Sequence, residues 1–194
     1  MNQERIHPEE QTAQRKILRT VLAINLALFF IEMSTGLISR SMGLVADSLD
    51  MLADAIVYGI SLIAVGRSLQ MKKMTAKTAG ILQFILALTG FAEVIRRFFN
   101  PELIPDFKFM VLISILALIG NSFCLYLLQK SKSSEAHIQA SKIFTANDVL
   151  INFGVITAGI LVLLTNSRIP DLVIGTVVFL IVFKAAVKIY RLGK

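Results

Sequence analysis

Two aspartates four residues apart, Asp50 and Asp54, interrupt the apolar stretch MGLVADSLDMLADAIVYG. On a helix this spacing places both carboxylates on one face, and Asp47, three residues before Asp50, falls on the same stripe. A fourth aspartate, Asp148, lies within a different apolar run. Two carboxylates on one helix and one on another can converge on a divalent cation, and without a cation they cannot all stay ionised side by side. The competing reading of Asp50, Asp54 and Asp148 is a hydrogen-bonded, partly protonated cluster that joins helices. Glu32 and Glu93 are further acids in apolar surroundings. Each acid at the centre of a membrane-spanning helix costs about 2.5–3.5 kcal/mol on insertion scales. Ion binding, proton relay or charge pairing has to offset that cost.

The other polar residues of the apolar runs have simpler readings. Glu93 precedes Arg96 and Arg97 by three and four positions, which predicts a local ion pair near one surface. Glu32 reads equally as a helix-packing contact or as part of a cation path. Asp47, near the outer mouth, reads as solvated or capping, or as part of the path. Asn25 and Asn121 are expected to be buried amides bonded between helices. His7 lies in a polar tail and His137 in a polar connection, where a role in metal entry is open. Lys184 and Lys188 are expected to snorkel to the cytoplasmic interface.

These residues must be carried by membrane-spanning helices. Of the 194 residues, 55% are hydrophobic and only 17% charged, with a mean hydropathy of +0.71, whereas soluble domains carry about 25% charged residues. Six apolar runs stand out, at 17–38, 44–66, 76–98, 109–128, 143–165 and 171–190. Each is long enough to cross a hydrocarbon core of about 30 Å as a helix, the spanning form that satisfies their backbone internally. The first run follows a polar tail and exceeds a signal-peptide core. All four prolines fall between the runs, and Pro170 suits the first turn of the sixth helix. The single cysteine, Cys124, allows no intrachain disulfide. There is no long-period repeat and no low-complexity tract. The expected fold is therefore an all-α integral membrane bundle of six helices over residues 17–194, preceded by a polar tail at 1–16, with no cytosolic C-terminal domain.

Charge sets the orientation. The side holding both termini carries fifteen of the 20 lysines and arginines, and the other side carries five, namely Arg40, Arg96, Arg97, Lys108 and Arg168. Both termini are therefore expected in the cytoplasm. The net charge of +7 is accounted for without nucleic acid. An intramembrane aspartyl protease would need a glycine just before one of two catalytic aspartates. Asp54 and Asp148 follow Ala53 and Asn147, so no enzyme is expected. A cation channel and a non-transporting membrane scaffold are the rival classes.

The stretch from Asn25 through Glu32 to GLISRSMGLVADSLDMLADA resembles the first two helices of the cation diffusion facilitators. FAEVIRRFFNPE resembles that family's third helix and outer turn, Asn121 falls on a fourth-helix asparagine, and ANDVLINFGVITAGIL resembles the fifth helix. The resemblance covers all six runs. It implies a proton-coupled exporter of divalent metals that works by alternating access, with Asp50, Asp54 and Asp148 on metal-ligand positions and the cation as cargo rather than a resident cofactor. Zinc is the ion it favours. A site made only of oxygen donors suits manganese better, with iron(II) and cobalt between them. The resemblance further implies a homodimer in the bilayer, in the cell membrane if the source is bacterial.

Two departures follow. Phe144 occupies the position where the family has a fourth ligand. Asn152, one turn after Asp148, Asn147 beside it, Asp47 one turn outward, or water are the candidates to replace that ligand. The family's usual cytosolic domain and histidine-rich loop are also expected to be absent, so any dimer is expected to be held by the spans.

Overall fold

The computed structural model describes residues 8–64, 69–100, 103–130 and 136–192. They form six helices: α1 (Pro8–Ser39), α2 (Met42–Ala64), α3 (Leu69–Phe99), α4 (Phe107–Lys130), α5 (Ala136–Thr165) and α6 (Ile169–Leu192). The described residues contain no strand. Helix α1 reaches back into the expected polar tail. Helix α5 starts at Ala136, so the connection expected over 129–137 is shorter than anticipated. His7 and the side chain of His137 lie outside the described residues.

The distribution of polarity is that of a protein solvated by lipid. Phe30, Leu37, Ile38, Leu112, Leu150 and Leu164 point outward, whereas Asn25, Glu32, Asp47, Asp50, Asp54, Gln83, Asn121, Asp148 and Asn152 are buried. In water the apolar outer surface would be driven inward. In a bilayer it is the favourable surface, and the helix backbones satisfy themselves. Helices α1, α4, α5 and α6 each hold a segment long and apolar enough to span. Helix α2 has 23 residues, and every 18-residue stretch of it contains Asp47, Asp50 and Asp54. Its polarity therefore comes from the residues of functional interest.

The helix ends follow from local chemistry. Arg40 adopts φ 61° and ends α1, with Ser41 N–H donating back to the Gly36 carbonyl at 2.9 Å. This is a left-handed helix stop. Asn166, φ 48°, ends α5 with the residue type that best tolerates that conformation after glycine. Helix α3 stops before the sequence Asn100–Pro101, which disfavours further helix. Pro170 lies in the first turn of α6, where its missing N–H costs nothing.

Packing couples α1 with α2 and α4, α3 with α6, α4 with α5, and α2 with α6. The α3–α6 approach is close because Gly80 lies against the Tyr190 backbone and Gly90 under the Phe179 ring. A side chain at either glycine would force the helices apart. Helices α5 and α6 follow one another through a tight turn yet pack only lightly. One apolar cluster on the outer side joins α2, α3, α5 and α6 through Leu44, Leu49, Val94, Val155, Phe179 and Val182. Another, toward the cytoplasmic ends, joins α1, α2 and α4 through Leu18, Val21, Tyr58, Cys124 and Leu128. Asp50, Asp54 and Asp148 occupy the zone between them.

Candidate metal site

The site is built by three helices. Counting at about 1.5 Å per residue from Met42, Asp50 and Asp54 lie roughly 12 and 18 Å along α2. Asp54 Oδ2 accepts a hydrogen bond from the Tyr58 hydroxyl at 3.0 Å. The same hydroxyl lies 2.7 Å from Thr145 Oγ1 on α5. This contact fixes the register of two antiparallel helices. One turn outward from it on both, Asp54 comes level with Val149, and so with Asp148. Asp148 is therefore beside Asp54, and Asn152 is beside Met51 and Asp50.

Asp50, Asp54 and Asp148 line one cavity of about 490 Å³. It is the wedge left where α5 and α6 separate beside α2. Phe144, Asn147, Ile174, Ile181, Lys184 and Lys188 are among the other residues of its wall. The three aspartates are almost fully enclosed by the bundle, at 4%, 4% and 1% exposure. Asp148 Oδ2 has no hydrogen-bond partner, and Asp148 lies in the electrostatic field of Asp54, Asp50, Asp47 and Glu32. The arrangement gathers three buried carboxyl groups at mid-bundle, facing an open volume. Among the described residues, no three histidine, cysteine, aspartate or glutamate side chains converge closely enough to hold a metal ion. The aspartates thus share a cavity in this conformation without forming a closed coordination shell.

The candidates for a fourth donor separate. Asn147 lines the cavity. Asn152 is buried off it, its amide donating to the Asp148 carbonyl at 2.7 Å while its Oδ1 has no partner. Asp47 is fully buried, which corrects its reading as a solvated or capping residue. The cap of α2 comes from elsewhere. The Asp171 carboxylate, in the first turn of α6, accepts from Ser41 Oγ at 2.6 Å, Met42 N–H at 2.7 Å and Gly43 N–H at 3.0 Å. Asp47 instead neighbours Glu32 of α1, and none of the four oxygens of that pair meets a donor. Asn25 and Asn121 are buried as expected, although Asn25 bonds within its own helix, to the Val21 carbonyl, and Asn121 has no partner.

Lys184 and Lys188, expected to snorkel to the cytoplasmic interface, are exposed and also line the cavity that holds the aspartates. Lys188 Nζ stands 4.5 Å from the centre of the Phe144 ring, a cation–π contact. Tyr58 and Asp171 were not singled out by sequence reasoning. Tyr58 could have been found from its position one turn after Asp54 on the same face. Asp171 carries no such signal, since an acid in a first helical turn is ordinary.

Away from the cavity, Glu93 binds Arg96 with paired contacts of 2.8 Å and Arg97 at 2.9 Å, as the spacing predicted. Arg97 also donates to the Arg40 carbonyl at 2.8 Å, tying α3 to the α1–α2 turn.

Six helices with apolar outer faces, two of which bring carboxyl groups to a common cavity at mid-depth, define an all-α integral membrane protein. The cation efflux transmembrane domain matches residues 18–193, and the chain belongs to that family, the cation diffusion facilitators. It is 29% identical over 194 residues to the zinc transporter ZitB of Pectobacterium atrosepticum, an alignment covering 93% of this chain and 60% of that protein. It is 26% identical over 100 residues to the ZitB of Yersinia pestis, covering 51% of this chain and 32% of the relative. The alignments thus span less than two thirds of the length of these relatives.

Proposed function

We propose that this protein exports a divalent transition-metal cation across a membrane, the cell membrane if the source is bacterial, in exchange for protons. Asp50, Asp54 and Asp148 are its metal ligands. The observation that carries the reading is the shared cavity: two carboxylates of α2 and one of α5, nearly fully buried, face one open volume. Zinc is the favoured cargo because the relatives named above are zinc transporters, while the oxygen donors also suit manganese, iron(II) and cobalt.

Coupling follows from charge. A divalent cation between the aspartates neutralises them. Once it leaves, carboxylates in a low-dielectric bundle need another positive partner, and protons are the small cations that reach them. Metal and protons then exclude one another from one site, which makes the exchange an antiport driven by the proton gradient. Alternating access requires α5 to move against α2 so that the aspartates close on the ion and then open to the other side. The loose packing of α5 on α6 leaves room for that movement, and Asn147, already in the wall, is the amide best placed to join the shell. A homodimer through the helices completes the reading.

The test is metal uptake into vesicles carrying the purified protein. Asp50→Ala, Asp54→Ala and Asp148→Ala are each expected to insert normally and to lose transport. Native flux from any one of them removes that residue from the site.

A further inference from the structure

We propose that Lys184 is a tethered cation that competes with the transported metal for Asp148. This rests on the reading of Asp50, Asp54 and Asp148 as the metal site.

The register of the helices sets Lys184 opposite Asp148. Helices α5 and α6 run antiparallel, and Lys188 stands over Phe144. One turn outward on each helix, Phe144 is replaced by Asp148 and Lys188 by Lys184, so the lysine and the aspartate occupy matching levels on facing helices. Helix α2 gives the same answer. It runs parallel to α6, and its first residues, Met42 and Gly43, are held by Asp171. Twelve residues further along each helix, Asp54 of α2 stands level with Phe183 of α6, next to Lys184. Phe144, Asp148, Lys184 and Lys188 line the same cavity as Asp54.

The charges facing Lys184 are Asp148 from α5 and Asp50 and Asp54 from α2, with Lys188 and Arg191 on its own helix. The part of α3 that packs against it contributes Phe84, which is uncharged. Three carboxylates and one ammonium leave two negative charges, the number that one divalent cation cancels. The cavity separates the lysine from the carboxylates, and a four-carbon stem can swing across such a space. When metal occupies the site the ammonium is repelled toward the cytoplasmic mouth and Phe144; when metal departs the ammonium can approach Asp148. Lys184 thereby limits how tightly metal is held and speeds its release.

The test uses the full chain purified in detergent, with zinc titrated at fixed pH into the native protein and into Lys184→Gln, Lys184→Met, Lys184→Arg and Asp54→Asn. Removing the positive charge is expected to tighten zinc binding about tenfold, the scale of a nearby like charge in a partly screened site. Arginine at this position should keep the affinity within about twofold. In vesicles, the charge-removing variants should reach half-saturation at lower zinc yet turn over more slowly at saturation, a split that a packing role would not produce. Lys184→Met preserves the stem, so either charge-removing variant suffices if the other fails to purify as a single species. Unchanged or weaker zinc binding on removal of the charge would overturn the proposal. Asp54→Asn separates the two claims. Native affinity in that variant refutes the metal site itself, whereas loss of binding there together with native affinity in Lys184→Gln refutes the lysine's role alone.

Discussion

Phe144 is the residue at which the proposed site departs from the four-ligand pattern that the family resemblance implies, and its ring centre lies 4.5 Å from Lys188 Nζ. An imidazole there would complete a tetrahedral nitrogen–oxygen set with Asp50, Asp54 and Asp148. Phe144→His is therefore expected to raise the preference for zinc over manganese, measured as the ratio of their dissociation constants in the purified protein. An unchanged ratio would show that position 144 does not reach the ion. The two asparagines make a paired prediction. Asn147 lines the cavity and Asn152 does not, so Asn147→Ala should weaken metal binding more than Asn152→Ala. The reverse order would place the fourth donor deeper in the α2–α5 interface. Tyr58 contributes through Asp54, whose carboxylate it orients while also touching Thr145. Tyr58→Phe leaves Thr145 without its interhelical partner in a buried position, at a cost of about 1–3 kcal/mol, and should lower both thermal stability and metal affinity. A loss of stability with native affinity would confine Tyr58 to packing.

At the scale of the helices, Asp171 joins the start of α2 to the start of α6 through three hydrogen bonds. These bonds set the height of α2, and so the level at which Asp50 and Asp54 meet the cavity. Charged hydrogen bonds contribute about 1.5–3 kcal/mol each when intact. Asp171→Ala is thus expected to lower the midpoint of thermal unfolding in detergent, while Asp171→Asn, which keeps an acceptor, should recover part of the loss. Equal stability of all three proteins would mean that the α2 end is satisfied in another way. The helices themselves were legible in the sequence because runs of about twenty apolar residues have one stable form in lipid. The Asp50–Asp54 face was legible because helical spacing is rigid. Register between helices was not. Nothing in the spacing of single residues states that Tyr58 meets Thr145 or that Asp171 reaches Ser41, since these contacts depend on how side chains more than eighty residues apart pack. The same limit hid Lys184. A lysine about eight residues from a helix end has a stem long enough to reach water, and only the separation of α5 from α6 shows that it also lines the cavity that holds the aspartates.

For the molecule as a whole, apolar packing on the outer side and toward the cytoplasmic ends encloses a layer of carboxylates and amides, and the cavity gives that layer its opening. The architecture therefore joins an apolar frame to a polar centre. Its central claim is that Asp50, Asp54 and Asp148 exchange metal for protons. The most direct test follows zinc and protons together in vesicles containing the purified protein, with and without an imposed pH gradient. The account predicts zinc movement that rises with the gradient, opposite movement of protons recorded at the same time, and loss of both in Asp54→Ala. Zinc crossing at the same rate with or without the gradient, with no proton counter-movement, would contradict it and identify a passive cation pathway.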